Sequence, residues 1–300
     1  MSSPSRSNSG LGKGESSPEG SRFSHKPSKE KQTSRDLDHP IHSTKRNDSP
    51  KPDHSHKKAL PPIVLGYWRF KGLAEPLRWL LGYMQVNYQE WNPSSSQDWF
   101  KEKILEYKGD FPNLPYIQND DFIMSQSSAI PIYLCNYFGK SHLLGKTYLD
   151  QARVREIEGV LLDIRDKFYK AIWSESPEEN IKLLLNADNS NNKRFDYLSK
   201  SLGKSDYFLG YLTWADLQFA YLCEFLDSLT ISFGETCPSC KHENLSALAG
   251  RVRELDGIKQ KVQQSGDTEY FPPEFLSFKF FTFNQMSKKY QQMEASKGQV

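Results

Sequence analysis

Ile63-Val64-Leu65-Gly66-Tyr67-Trp68, followed by Lys71-Gly72 and then by Leu73, Leu77, Leu80, Leu81 and Met84 at helical spacing, is the stretch that decides the fold. A short, partly β-branched apolar run reads as a strand, the Lys-Gly pair as a turn, and leucines three and four apart as one face of a helix. Outward from there, residues 86–91 read as a second strand. Residues 97–106, charged but carrying Trp99 and Phe100, read as a short surface helix. Residues 114–117 and 122–124, separated by Asn119-Asp120-Asp121, read as a hairpin. A helix then opens at Ser125 and runs through Tyr137. The resulting order, β-α-β-α-β-β-α over residues 61–142, is that of an α/β layer with crossovers joining its first β units.

The layer has the size of a thioredoxin-like domain. From Leu149 onward the strand signals stop, and Val154, Ile157, Val160, Leu161, Ile164 and Phe168 follow a 3.6-residue period. Further helical stretches fall at 178–185, 194–202, 214–226 and 245–262, so residues 149–285 read as an all-helical second domain. Thr213-Trp214-Ala215-Asp216 is a helix N-cap signature ahead of an apolar run, a device for stability and not for catalysis. Tyr270, Phe271, Phe275, Phe278, Phe280, Phe281 and Phe283 surround Pro272-Pro273 without a clean period and predict an extended segment packed across the fold. Residues 286–300 are left as a C-terminal tail.

The composition changes sharply near residue 60. Residues 1–60 carry 12 Lys+Arg against 7 Asp+Glu, 14 Ser and only 7 apolar residues, in a chain of 300 whose overall formal charge is only +2. So few apolar side chains cannot offset an ordering entropy of roughly 1–2 kcal/mol per residue, and the segment is expected to be a disordered, polar, basic extension. Its His54-Ser55-His56 reads as polar composition and not as a metal site. The balanced net charge argues against nucleic-acid binding, and no apolar run approaches the ~20 residues of a membrane span. With no secretory h-region at Met1 and only four cysteines, the chain is expected to be cytoplasmic and reduced.

Five motifs then carry a resemblance. Leu65-Gly66-Tyr67-Trp68, Lys71-Gly72-Leu73-Ala74-Glu75-Pro76-Leu77-Arg78, Asp110-Phe111-Pro112-Asn113-Leu114-Pro115-Tyr116, Ser125-Gln126-Ser127-Ser128-Ala129-Ile130 and Thr213-x-x-Asp216 occur in the order and spacing of cytosolic glutathione transferases. The Gly-Tyr-Trp and Asp-Phe-Pro-Asn-Leu-Pro-Tyr versions are most similar to the mu class. The resemblance covers about residues 62–285 and leaves the extension out.

It implies attack by the glutathione thiolate on hydrophobic electrophiles, with glutathione as co-substrate and no other cofactor or metal. A free thiol has a pKa near ~8.5, so the anion must be stabilised at neutral pH. Tyr67 matches the catalytic tyrosine; its own pKa near ~10 makes it a hydroxyl donor to the sulfur and not a base. Pro115 matches a cis-proline that presents the backbone of Leu114 to the cysteinyl unit. Gln126 and Ser127, at a helix N-terminus, match the γ-glutamyl carboxylate site. Trp99 and Lys103 would meet the glycyl carboxylate, with Asn113 nearby and Trp68 lining the site. Asp163, with Asp166 as fallback one turn on, would reach the partner subunit's glutathione amine. Phe111 falls at a hydrophobic lock position, which implies a C2 homodimer.

Three departures stand out. The segment from Tyr88 to Trp99 is shorter than in mu-type chains, Ser96 replaces an arginine, and Trp173 stands where an acceptor-site tyrosine is expected. Trp173 is therefore the candidate electrophile contact, favouring flat or larger compounds. Cys237-Pro238-Ser239-Cys240 with His242 has no second pair at zinc-ribbon spacing, and reads as structural ahead of redox or metal use. Cys135 and Cys223 read as core residues. Beside the detoxifying enzyme stand a hydrophobic-ligand carrier with little turnover and a dimeric scaffold for the basic extension.

Overall fold

The computed structural model describes residues 63–186, 189–235, 237–271 and 285. The extension with its histidines, the aromatic residues from Phe275 to Phe283, and 286–300 lie outside these. The described residues belong to one compact unit.

Strand β1 (Ile63–Gly66) leads through a glycine turn into α1 (Glu75–Tyr83), then β2 (Tyr88–Trp91). One π turn over Asp98–Lys103 relaxes into α2 (Ile104–Glu106), before β3 (Tyr116–Asn119), β4 (Phe122–Ser125) and α3 (Ile130–Tyr137). The sheet order is β2-β1-β3-β4, with β1 and β2 parallel and the other pairs antiparallel. Parallel β1 and β2 require the α1 crossover between them, which buries Leu77, Trp79, Leu80 and Leu81. Gly66 is required at its place, because a Cβ there would fall 2.0 Å from the Tyr116 ring.

The helical layer comprises α4 (Tyr148–Ile172), α5 (Pro177–Leu185), α6 (Ser190–Leu202), α7 (Trp214–Phe233), α8 (Glu243–Arg253) and α9 (Ile258–Gln264). Among these α7 is the axis: sixteen of its twenty residues are buried, which explains why its sequence is apolar all round. Its start is fixed by Asp216, whose carboxylate accepts from the backbone N–H of Phe208 (2.9 Å) and Thr213 (2.8 Å) and from the Thr213 hydroxyl (2.8 Å).

Three expectations are corrected. Helix α3 begins at Ile130 and not at Ser125, because Ser125 completes β4 and Gln126 takes a left-handed φ of 78° that no helix accommodates. The single helix expected over 245–262 is two. The break is at Gly257 (φ 79°), whose backbone passes so close to Gly82 that a Cβ would sit 2.2 Å from the Gly82 carbonyl oxygen. Helix α7 also runs seven residues beyond the expected 226 before Gly234 caps it at φ 71°.

Candidate active site

The strand register by itself gathers the site. Gly66 pairs with Trp91 on one side and Tyr116 on the other, and Tyr116 pairs with Ser125. The next residues at that end are Asn92, Tyr67, Pro115 and Gln126, so four segments far apart in sequence meet along one sheet end.

Tyr67 is 5% exposed. Its backbone is clamped on both sides: the N–H donates to Trp91 O (3.0 Å), and the C=O accepts from Asn92 Nδ2 (2.9 Å). Its phenolic oxygen accepts the Leu73 N–H at 3.0 Å, and Phe70 meets the ring edge-on at 5.4 Å. Burial pushes the phenol up to about 12, against the weaker opposing pull of the Leu73 N–H and of Arg78 and Arg165. The group is therefore a neutral hydroxyl at physiological pH, with one lone pair used by Leu73 and its proton available to a further acceptor. Gly72 (φ 42°) makes this possible, since a Cβ there would lie 2.5 Å from the Tyr67 oxygen.

The Leu114-Pro115 peptide is cis. The Leu114 N–H is met by the Asn113 side-chain carbonyl at 2.8 Å, so a bound backbone would exchange with that contact. Gln126, exposed and left-handed, forms the corner between β4 and α3, and its carbonyl accepts from Ala129 and Ile130 (both 3.0 Å). Ser127 is half-buried beside it. Trp68 is half-buried and tilts against Phe100 at 6.4 Å. Trp99 is 3% exposed, stacked on Tyr116 with ring centroids 6.1 Å apart and tilted against Trp91, so its ring belongs to the core beneath the sheet end. Lys103 lies over the Trp91 ring at 5.7 Å and pairs with Glu106 at 3.7 Å.

A crevice continues from Gly72 and Leu73 into the helical layer, where Leu161, Arg165 and Tyr169 of α4 face Gln218, Tyr221 and Phe225 of α7. Leu161, Arg165 and Tyr169 recur every four residues, the signature of one helix face, and Leu162 flanks them. Tyr169 Oη, Tyr221 Oη and Gln218 Oε1 are buried without a hydrogen-bond partner among the described residues. Such orphaned atoms converging on one crevice call for a polar ligand or water. Burial raises both phenols, and the charge of Arg165 lowers those of Tyr67 and Tyr169.

Trp173 continues the same stripe but at the C-cap of α4, where it is 53% exposed and meets Phe271 edge-on at 5.8 Å. Asp163 faces away from the crevice and pairs with Arg194 at 3.4 Å; Asp166 pairs with Arg165 at 2.8 Å. Sequence reading missed Tyr169, Arg165, Gln218 and Tyr221, although the four-residue spacing from Leu161 was a usable signal. It also missed Lys71, wholly buried and paired with Glu224 of α7 at 2.6 Å.

Residues 63–136 match the profile described as "Glutathione S-transferase, N-terminal domain", and residues 162–264 the one described as "Glutathione S-transferase, C-terminal domain". "Glutathione S-transferase 2" of Gallus gallus is 34% identical over 208 residues, which are 65% of this chain and 87% of that protein. "Glutathione S-transferase class-mu 26 kDa isozyme 51" of Fasciola hepatica is 36% identical over 120 residues, 39% of this chain and about half (53%) of that one. Among solved structures, rat hPGDS complexed with a quinoline superimposes with a TM-score of 0.59 at 25% identity, covering 68% of this chain and 97% of that one. A four-stranded thioredoxin-like layer followed by a helical domain is the fold of the glutathione S-transferases. The chain belongs to the glutathione S-transferase family.

Proposed function

We propose that this chain is a mu-like glutathione transferase of the cytoplasm that conjugates the glutathione thiolate to hydrophobic electrophiles. The observation that carries the reading is the Tyr67 hydroxyl: buried, kept protonated, and held by the Leu73 N–H so that its proton is free for a sulfur anion. A hydrogen bond to the anion favours the anion, and the thiol loses its proton more readily.

The dimensions suit a tripeptide. From Tyr67 to Gln126 the sheet end crosses β1, β3 and β4, two spacings of ~4.8 Å, and an extended tripeptide spans roughly 10 Å. The sulfur would lie at Tyr67, the cysteinyl backbone along Leu114 and Pro115, and the γ-glutamyl carboxylate at the Gln126–Ser127 corner. Trp68, Lys103 and Asn113 flank the glycyl end. The crevice of Arg165 and Tyr169 would take the electrophile, with Trp173 at its outer rim. Tyr169 supplies a hydroxyl in place of the tyrosine that Trp173 displaces.

The same reading makes the protein a homodimer. Phe111 is 73% exposed while its carbonyl is fixed by the Ser125 hydroxyl at 2.5 Å, so an apolar ring is presented on an anchored loop. Phe122, Ile132 and Tyr137 line an exposed apolar groove on the same domain. Glutathione conjugation to 1-chloro-2,4-dinitrobenzene at neutral pH tests the function. Wild type turns over, and Tyr67→Phe loses at least about tenfold in kcat with the glutathione KM within about twofold. Equal rates would remove Tyr67 from the mechanism.

A further inference from the structure

The Cys-x-x-Cys pair, which sequence reading leaves as structural for want of further ligands, gains one from the fold. Helix α7 ends at Gly234, and the chain doubles back into a short 3-10 turn over Pro238–Lys241. That return brings Cys237 and Cys240 against the last turns of α7. The Cys240 N–H donates to the Cys237 carbonyl at 3.0 Å, which closes the turn and aims both thiols at the same side. There the two Sγ atoms and a carboxylate oxygen of Asp227 all lie within 4.8 Å of one another, with Cys240 Sγ 3.7 Å from Asp227 Oδ1.

The burial is graded: Cys237 is 2% exposed, Asp227 is half-buried and Cys240 is exposed. An ion could enter at the Cys240 side and be held at the Cys237 side. The donor set is two soft sulfurs and one carboxylate, which suits a tetrahedral d10 dication and is wrong for calcium or magnesium, which take oxygen alone. A nucleophilic redox pair needs an electropositive surrounding, and here a carboxylate faces the exposed thiol. A bound dication offsets two of the three negative charges that the deprotonated ligands bring together, leaving a net charge of −1.

We propose that Asp227, Cys237 and Cys240 bind one zinc-class cation that staples the 3-10 turn to helix α7, the fourth position being open to water at the exposed Cys240 edge. Each thiol gives its proton to solvent as the metal–sulfur bond forms, and no electron is transferred. The site lies on the helix that supplies Tyr221 and Phe225 to the crevice, but none of its ligands touches that crevice.

The test uses the full-length, reduced, chelator-stripped protein. Cobalt(II) is added first as a spectroscopic probe, and zinc(II) is then titrated against a chromophoric chelator. The expected result is one equivalent per chain, a sulfur-to-cobalt charge-transfer band bleached by zinc, and a loss of affinity of at least about 100-fold in Cys240→Ser and about tenfold in Asp227→Asn. Cys240 is exposed, so its serine variant keeps the fold even if Cys237→Ser does not. Glutathione conjugation by Cys240→Ser should stay at the wild-type rate. A band that survives Cys240→Ser but disappears in His54→Ala/His56→Ala overturns the proposal. So does the lack of any band in a protein whose Cys237 and Cys240 glutathione disulfide converts to a disulfide.

Discussion

The Lys71 ammonium lies 2.6 Å from Glu224 Oε1, with both side chains wholly out of solvent, and so ties the turn before α1 to the middle of α7. The Tyr270 hydroxyl donates to the same oxygen at 2.8 Å, and its ring lies 4.6 Å from the ammonium. Around this pair the Lys71 and Gly72 N–H groups donate to the carbonyls of Glu269 (2.8 Å) and Tyr270 (3.2 Å). The turn that carries Leu73, and through it the Tyr67 hydroxyl, is therefore bound to both the helical layer and the segment after α9. Removing one member leaves a buried charge, so Lys71→Met should cost about 3–5 kcal/mol. The double variant Lys71→Met/Glu224→Leu should recover most of that. Urea unfolding of the single and double variants checks this; a double variant no more stable than Lys71→Met would mean the cost is packing and not charge.

The Tyr67 phenol, raised to about 12 by burial, should not titrate in the working range. The rate of conjugation should climb with pH as the bound thiol ionises and then hold level through pH ~10, where an ordinary tyrosine is half ionised. A pH–rate profile checks the plateau. A fall centred near pH 10 would mean that Tyr67 is less buried in the working enzyme.

Burial raises Asp216 to about 6, whereas an unfolded aspartate titrates near ~3.9. Between those values the folded chain holds the proton and the unfolded chain does not, so this group's contribution to stability falls as pH rises through about 4 to 6. Two pKa units correspond to about 3 kcal/mol at most. The stability gap between wild type and Asp216→Asn, measured by urea unfolding across that range, should therefore be larger at pH 4 than at pH 7. A gap that grows with pH would show that the three hydrogen bonds to the carboxylate outweigh its desolvation.

Exposure of Phe111 on a loop held by Ser125 makes it the residue to test for assembly. Phe111→Ser should move the protein from dimer toward monomer in light scattering at micromolar concentration while leaving the secondary structure intact. A dimer of unchanged stability would place the contact elsewhere.

How far the sequence could be read depended on whether the signal was local. The strand at Ile63, the helix after Leu73 and the hairpin about Asp120-Asp121 each carry their pattern within a few residues and each forms, although α1 starts at Glu75 and β3 runs from Tyr116 to Asn119, two residues later than its apolar run suggests. Tyr67, Pro115 and Gln126 were named separately, but their convergence is a property of register, which no single segment carries. The early start given to α3 came from treating Gln126 as an ordinary residue; its left-handed backbone cannot be seen in a side-chain pattern. The helix broken at Gly257 looked continuous because the cause is the backbone of Gly82, far away in sequence. Trp173, the position that the family pattern singles out, lies at the C-cap of α4, and Tyr169, one turn earlier on the same stripe, lines the crevice without matching any family motif. Lys71 reads as a charged turn residue, and only the packing of α7 against it reveals Glu224.

Stabilisation of the bound thiolate by the Tyr67 hydroxyl is tested most directly by the ultraviolet absorbance of that thiolate, titrated against pH in the glutathione complexes of wild type and Tyr67→Phe. The wild-type midpoint should fall between about 6 and 7, well below the free value of ~8.5, and the Tyr67→Phe midpoint should return toward the free value. Coincident midpoints in the two proteins would contradict it.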